Sequence, residues 1–226
     1  MKAIPGLQVA VDGPSGSGKG TVSSMLAALL DLPVYDTGLL YRFVAGITHE
    51  RNVDVDDEKA IVTMMDQVMN CIEWNAEGLS MPGMNPGSEI RSEETGSLAS
   101  RIAKYPEVRN RLMGLQRSVA AGGCIMDGRD IGTMILPEAK AKFFLTASIR
   151  ERARRRWRQL QDGDPQISLE DVVSDLMLRD NRDRKRKHAP LHKAGDAVLI
   201  DTTTLRQDEV VDRMIAIMQR RGLILG

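Results

Sequence analysis

"GPSGSGKGT", residues 13–21, follows the short apolar run "LQVAVD" (7–12) and leads straight into "KGTVSSMLAALLDL". The run before it ends in a turn signal and reads as a buried strand. The run after it sets Val22, Met25, Leu26 and Leu29 at helical spacing. Strand, Gly-rich loop and helix in that order open an α/β unit. Inside the loop the spacing G-x-x-x-x-G-K runs from Gly13 to Lys19. Such a backbone folds into a concave nest whose N–H groups point at phosphate oxygens. The following helix adds its N-terminal partial positive charge, and the lysine reaches the β- and γ-phosphates. Gly13, Pro14, Ser15, Gly16, Ser17, Gly18, Lys19, Gly20 and Thr21 are therefore the candidate nucleotide-phosphate site, with Lys19 its catalytic cation.

Outward from the loop, helical patterns cover 37–51 and 57–69, the latter with Ile61, Met64, Met65 and Val68 on one face. Gly, Pro and Asn break up 71–90, which predicts small strands and turns. Helical pattern returns over 93–121. Residues 123–128, 141–147 and 197–202 read as strands, 149–161 and 168–187 as helices, and "RQDEVVDRMIAIMQRRG" as a closing amphipathic helix. Strands alternating with helices imply a parallel sheet covered on both faces.

Composition narrows the function classes. At 226 residues the chain can bury one full core, and no apolar run approaches the length that spans a bilayer. The 31 Lys+Arg balance 31 Asp+Glu, and zero net charge argues against the broad positive field that nucleic acid requires. Cys71 and Cys124 lack metal or redox spacing, so core packing is expected for both. The Gly-rich motif stands so near the N-terminus that no signal peptide is expected. A cytoplasmic monomer without membrane or nucleic-acid partners is the expectation.

Yet "RDNRDRKRK" (179–187) holds six cations among nine residues, and "RERARRRWR" (150–158) six arginines among nine. On a helix Arg150, Arg154 and Arg158 share one stripe while Arg152 and Arg156 fall nearly opposite, and a solvated face accounts for only one of the two. Planar guanidinium suits phosphate oxygens, so these clusters suit a small anion held in a pocket. Asp127, ending the apolar strand of "IMDG", is placed to hold a water on Mg²⁺. It could equally cap the next turn. Gly20 stands where Ser or Thr usually follows the lysine and ligates the metal.

The G-K-G-T form resembles adenylate kinase and the other nucleoside monophosphate kinases. With "DTGLLYR" (36–42), "GSEIRS" (87–92), "DGRDIGT" (127–133), "RDNRDRKR" (179–186), "APL" (189–191) and "IDTTTL" (200–205), the sequence is similar to bacterial cytidylate kinases from Val9 to the closing helix. The resemblance implies a single P-loop NTPase-type α/β domain over 1–226, with a parallel five-stranded sheet and helices on both faces. It adds an acceptor-binding region over 37–100, a small stranded insert near 71–90 and a short arginine-rich lid over 150–165. It further implies transfer of the γ-phosphoryl of MgATP to CMP or dCMP. Thr37 and Arg42 would then meet the CMP phosphate, and Ser100, Arg109, Asp130 and Arg186 the cytosine. Arg179 and Asp183 would meet the sugar and nearby phosphate, Arg129 would share the acceptor pocket, and Arg155 would reach ATP from the lid. Catalytic duty falls to Lys19, Arg155 and Arg179, and the water-mediated metal contact to Asp127. Two rivals stay open at this point: another small-acceptor P-loop kinase, acting on UMP or shikimate, and an RNA-binding P-loop protein.

Overall fold

β2 (Gln8–Asp12), the strand ahead of the Gly-rich loop, lies at the centre of a five-stranded sheet in a computed structural model that describes residues 1–75, 78–82, 90, 92–161 and 166–225. Its neighbours are β6 (Cys124–Gly128) and β7 (Ala141–Thr146), with β3 (Val34–Asp36) and β8 (Val198–Asp201) at the edges. The order is β3-β6-β2-β7-β8 and every pairing is parallel. β3 is the strand the apolar pattern does not announce. It is three residues long, preceded by Pro33 and closed by Asp36.

Alternation along the strands divides the core between the two faces of the sheet. Val9, Val11, Ile125, Phe143, Leu145 and Ile200 pack toward α1 (Lys19–Leu30) and α8 (Gln207–Arg220). Ala10, Cys124 and Met126 face the other way, into the larger cluster built on α2 (Thr37–Glu50), α3 (Glu58–Val68), α4 (Glu93–Ile102) and α5 (Pro106–Ala120). The 93–121 pattern is two helices, because Pro106 opens α5 at a position where its missing N–H costs nothing. Cys124 is buried, as expected. Cys71 is exposed, against expectation: it ends a one-turn extension of α3, beyond the apolar face that finishes at Val68, and Ile72 takes the inward position.

Two further units stand on this frame. β4 (Glu73–Asn75) and β5 (Gly78–Ser80) form the small antiparallel hairpin expected within 71–90. Residues 76–77 and 83–89, and with them part of "GSEIRS", lie outside the described residues. α6 (Ile149–Leu160) and α7 (Leu169–Arg184) share a separate apolar cluster of Ala153, Val172 and Leu176. The end of the expected lid, 162–165, also lies outside the described residues. A two-residue pairing of β1 (Lys2–Ala3) with β9 (Ile224–Leu225) joins the two ends of the chain, and no sequence pattern foretold it. Among the described residues no helix is long and apolar enough to cross a membrane.

Candidate active site

The loop after β2 is shaped by what its carbonyls and glycines meet. Lys19 Nζ donates to Pro14 O at 3.0 Å, Arg152 Nη1 to Ser15 O at 3.0 Å and Thr202 Oγ1 to Ser17 O at 3.0 Å. With these carbonyls tied back, the alternate N–H groups are left for the concave side. Gly13 has φ +146°, and a Cβ there would stand 1.9 Å from Leu145 O. Gly18, at φ +89°, caps α1 in the left-handed region. No other residue type fits Gly13 without moving β7.

The loop opens onto a cleft of about 540 Å³ at the carboxyl ends of β2, β3 and β6, where ligands of open α/β sheets bind. Ser15, Gly16, Gly18, Lys19, Gly20 and Thr21 line one side. Thr37, Arg42, Ser100, Arg109, Asp127, Arg129, Asp130, Arg179, Asp183 and Arg186 line the rest. One cleft thus gathers these residues from six separate stretches of sequence. Gly13 and Pro14 sit behind it as the loop's frame. Ser17 and Arg155 face a second cleft of about 510 Å³ on the other side of the loop, with Gly18, Thr202 and Arg206. Arg155 donates there to Thr202 Oγ1 at 3.0 Å and Thr202 O at 2.6 Å, and to Glu151 at 3.0 Å.

Asp183 is the polar hub of the arginine-lined part of the cleft. Almost fully buried on α7, it accepts from Ser100 Oγ at 3.2 Å, Arg129 Nε at 3.1 Å and Arg186 Nη2 at 2.5 Å. Burial would raise its pKa, but Arg129, Arg186 and Arg179 outweigh burial and hold the carboxyl below its ordinary range. An ionised carboxylate offers about four acceptor sites, so a ligand hydroxyl can still be taken. Asp130 pairs with Arg109, whose guanidinium lies 5.6 Å from the Tyr41 ring centroid.

Arg179 differs from its neighbours. Its Nε is buried, and among the described residues it has no hydrogen-bond partner. Burial, then the proximity of Arg129, brings its pKa down to about 10. A desolvated guanidinium in this state calls for an anion.

Thr37 opens α2 and donates its hydroxyl proton to Asp127 O at 2.8 Å. That proton must turn before it can meet a phosphate. The contact also requires Gly128, where a Cβ would lie 2.5 Å from Thr37 Oγ1. Arg42 donates to Ile90 O at 3.1 Å and Ser92 O at 2.6 Å. Gly96 makes room for it, since a Cβ there would stand 2.5 Å from Arg42 Nη2.

Lys19 and Asp127 share the floor of the cleft. Burial, reinforced by Arg129, lowers the Lys19 pKa, with Asp127, Asp36 and Asp12 opposing. Burial, then Asp36, raises that of Asp127 against Lys19 and Arg129. A Cβ on Gly20 would lie 3.7 Å from Asp127 Oδ2, so the glycine leaves open space beside that carboxylate. Asp12 accepts from Ile131 N at 2.7 Å and Gly132 N at 2.8 Å, which fixes the turn carrying Arg129 and Asp130.

Asp12, Asp36, Arg152 and Arg156 are site residues that sequence reasoning did not assign. Asp12 and Asp36 each end an apolar strand at its carboxyl edge, a position that could have marked them. Helical spacing sets Arg152 and Arg156 apart from the other stripe, but nothing in the sequence separates Arg152 from Arg156. In the structure Arg150, Arg154 and Arg158 are the exposed stripe of α6, while Arg152 is buried and Arg156 lines the cleft, paired with Glu93 of α4.

A phosphate loop that faces a second anion pocket across one cleft serves phosphoryl transfer between two small anions, where positioning and charge do most of the work. The class is the P-loop kinases. Comparison with known sequences then gives the family: the model for cytidylate kinase matches residues 9–220. The chain is 44% identical over 213 residues to a cytidylate kinase of Desulfitobacterium hafniense strain Y51, covering 93% of this chain and 92% of the relative. It is 41% identical over 218 residues to one from Vibrio cholerae (94% and 96% covered) and 39% identical over 222 residues to one from Carboxydothermus hydrogenoformans (97% and 100% covered). The chain belongs to the cytidylate kinase family.

Proposed function

We infer that this chain transfers the γ-phosphoryl of ATP to CMP or dCMP, giving ADP and CDP or dCDP, with each substrate at its own end of the main cleft. Family membership carries the reaction. The assignment of residues rests above all on Arg179, whose buried Nε has no hydrogen-bond partner among the described residues and which lines the same cleft as Lys19. Arg129 depresses the pKa of both Lys19 and Arg179, so it acts on the two ends at once.

In this reading the loop of Gly13–Thr21 cradles the ATP phosphates and Lys19 follows the γ-phosphoryl. Thr37 and Arg42 hold the CMP phosphate, and Arg179 and Arg129 neutralise charge where the phosphoryl passes. Ser100, Arg109, Asp130 and Arg186 read cytosine, while Asp183 fixes the arginines and takes a sugar hydroxyl. The attacking oxygen needs no general base, because the second pKa of a phosphate monoester is near 6. The second cleft, with Arg155 and Thr202 on its wall, suits the nucleoside end of ATP. Residues 37–100 serve as the acceptor region and 150–165 as the lid within one domain. Soluble nucleotide substrates fit a cytoplasmic monomer, with no nucleic acid or membrane partner.

Mg²⁺ fits this site. Asp127 and Asp36 are neighbouring carboxylates whose repulsion a cation would relieve. Among the described residues no three acidic, thiol or imidazole groups gather as a cage, in keeping with a cation that relies on nucleotide phosphates and water. Asp127 would hold it through water, and the cation would neutralise charge on the β- and γ-phosphates.

A coupled assay of ATP with CMP, dCMP, UMP and AMP tests the reading. CMP and dCMP should be used far better than the other two. Equal turnover of UMP, or no turnover of CMP, would refute it.

A further inference from the structure

Arg152 is the buried arginine of α6, and protein groups satisfy it. Its Nε donates to Ala147 O at 3.0 Å, Nη1 to Ser15 O at 3.0 Å and Asp180 Oδ1 at 3.2 Å, and Nη2 to Asp180 Oδ2 at 2.6 Å. These four bonds occupy four of the five N–H groups a guanidinium owns. The two side chains are only 5% and 10% exposed. Arg152 is therefore in no position to clamp a phosphate itself.

What it touches belongs to both halves of the site. Ser15 lies in the phosphate loop, and the crest of that loop rests on Arg152. A Cβ on Gly16 would stand 2.9 Å from Arg152 O and 3.0 Å from its Cβ. Asp180 lies on α7 between the two residues that face the acceptor: Arg179 adjoins it, and Asp183 follows three residues later on the same face. α6 and α7 share an apolar cluster distinct from the two that flank the sheet. Direct polar ties therefore fix how α7 stands against the loop. The bidentate fork of Arg152 has the geometry to transmit a displacement, because two parallel bonds resist rotation as well as separation.

We propose that the Arg152–Asp180 pair is a positioning element that couples the phosphate loop to the acceptor-side groups of α7, so that ATP and CMP favour each other's binding. This rests on the assignment of the cleft to those two substrates. Filling the loop draws Ser15 and Arg152 into one arrangement, and Asp180 carries that arrangement to Arg179 and Asp183. Coupling of this kind is reciprocal: each ligand must tighten the other by the same factor.

The test is equilibrium binding of a non-hydrolysable ATP analogue with and without saturating CMP, and of CMP with and without the analogue. It is run on the wild type, on Asp180→Asn, and on the double variant Arg152→Met/Asp180→Leu. The double variant removes both charges without stranding either, the usual cause of misfolding when a buried pair is halved. Circular dichroism confirms that each variant folds. The wild type should show mutual tightening of about 5- to 20-fold, falling below about twofold in the variants by the same reciprocal measure. A structural role alone would weaken both ligands and leave that ratio intact. Undiminished coupling in either folded variant overturns the proposal, as does its absence from a wild type that phosphorylates CMP. Failure of both variants to fold also counts against it, since the pair would then be a stability element. A wild type that does not bind CMP refutes the functional reading, and this proposal with it.

Discussion

Arg129 Nε donates to Asp183 Oδ2 at 3.1 Å across 54 residues of sequence, joining the turn after β6 to the last turn of α7. The bond, made at the C-terminal end of α7, brings two motifs, "DGRD" and "RDNRDRKR", to one point. It explains why a carboxylate sits among so many guanidinium groups: without Asp183, Arg129, Arg179 and Arg186 would repel one another in a poorly solvated space.

Asp183→Ala should therefore damage both fold and function. Removing one member of a buried, hydrogen-bonded charge cluster costs about 3–5 kcal/mol, measurable by urea denaturation. Asp183→Asn, with the same shape, should be milder, and is the variant for kinetics. kcat/KM should fall for CMP and dCMP by unequal factors, because a lost 2′-hydroxyl contact affects CMP alone. Wild-type kinetics with both acceptors would remove Asp183 from the site.

Lys19→Met should abolish nearly all phosphoryl transfer and leave the chain folded. Its ammonium is buried, with Pro14 O as its one hydrogen-bond partner among the described residues, so methionine keeps the volume and relieves a desolvated charge. Losing a phosphate clamp costs several kcal/mol in the transition state. Single-turnover measurements should show it, and retention of more than about a tenth of wild-type activity would contradict the donor-site assignment.

Much of this was legible because strands and phosphate loops leave local marks. Val9, Val11 and Gly13 to Lys19 announce a strand and a loop in adjacent residues. β3 left no mark, since three residues cannot display a period. Resemblance located Arg129, Asp130 and Asp183, but pairings such as Asp183 with Ser100 depend on chain crossings that no local pattern encodes. The arginines of α6 show the limit most clearly. Periodicity separated Arg150, Arg154 and Arg158 from Arg152 and Arg156. That Arg152 serves Asp180 while Arg156 meets Glu93 is a matter of tertiary distance.

Gly96→Val should raise the KM for CMP more than that for ATP. The new Cβ would fall 2.5 Å from Arg42 Nη2 and 2.9 Å from its Cζ, forcing the guanidinium off the backbone carbonyls of Ile90 and Ser92. Gly96 sits in α4, where a helical φ suits any residue, so thermal stability should change little. Equal rises in both KM values would show that Arg42 does not serve the acceptor.

Acid should stabilise the ligand-free protein over a limited range. Burial raises the Asp12 carboxyl from 3.8 to about 6, so between those values the folded chain holds a proton that the unfolded chain has lost. The Asp12 contribution then falls as pH rises from about 4 to about 6 and is lost above that. Asp127 is shifted in the same direction. Asp183 acts oppositely, but its lowered pKa confines that loss to pH below 3.8. Denaturant unfolding at pH 5 should give more stability than at pH 7, with about 1–2 kcal/mol of the difference from Asp12. Asp12→Asn should shrink the difference and leave the share that Asp127 contributes. An unchanged profile in that variant would show that Asp12 is not the titrating group.

Asp130 supplies the sharpest test of specificity. Arg109 Nη2 holds its Oδ2, and no described residue donates to Oδ1. Cytosine presents an N4 amino donor beside an N3 acceptor, whereas uracil presents an O4 acceptor beside an N3–H donor. In the proposed site a carboxylate at 130 would accept from N4, while Arg109 and Arg186, which line the same cleft, would donate to N3 and O2. Uracil sets oxygen against carboxylate and N–H against guanidinium. Each buried group left unpaired costs about 1–3 kcal/mol, more when charged, and sites of this kind reject mismatched analogues strongly. Asp130→Ala should thus lower kcat/KM for CMP far more than for UMP and narrow their ratio. Because alanine also strands Arg109, Asp130→Asn provides the folded control: its amide can still accept from N4, but it can also turn a donor toward O4, so UMP should gain relative to CMP. Steady-state kinetics of both variants with both acceptors decides the matter. A CMP:UMP ratio equal to the wild type in both would show that the base is read elsewhere, with Arg129 beside it the next residue to test.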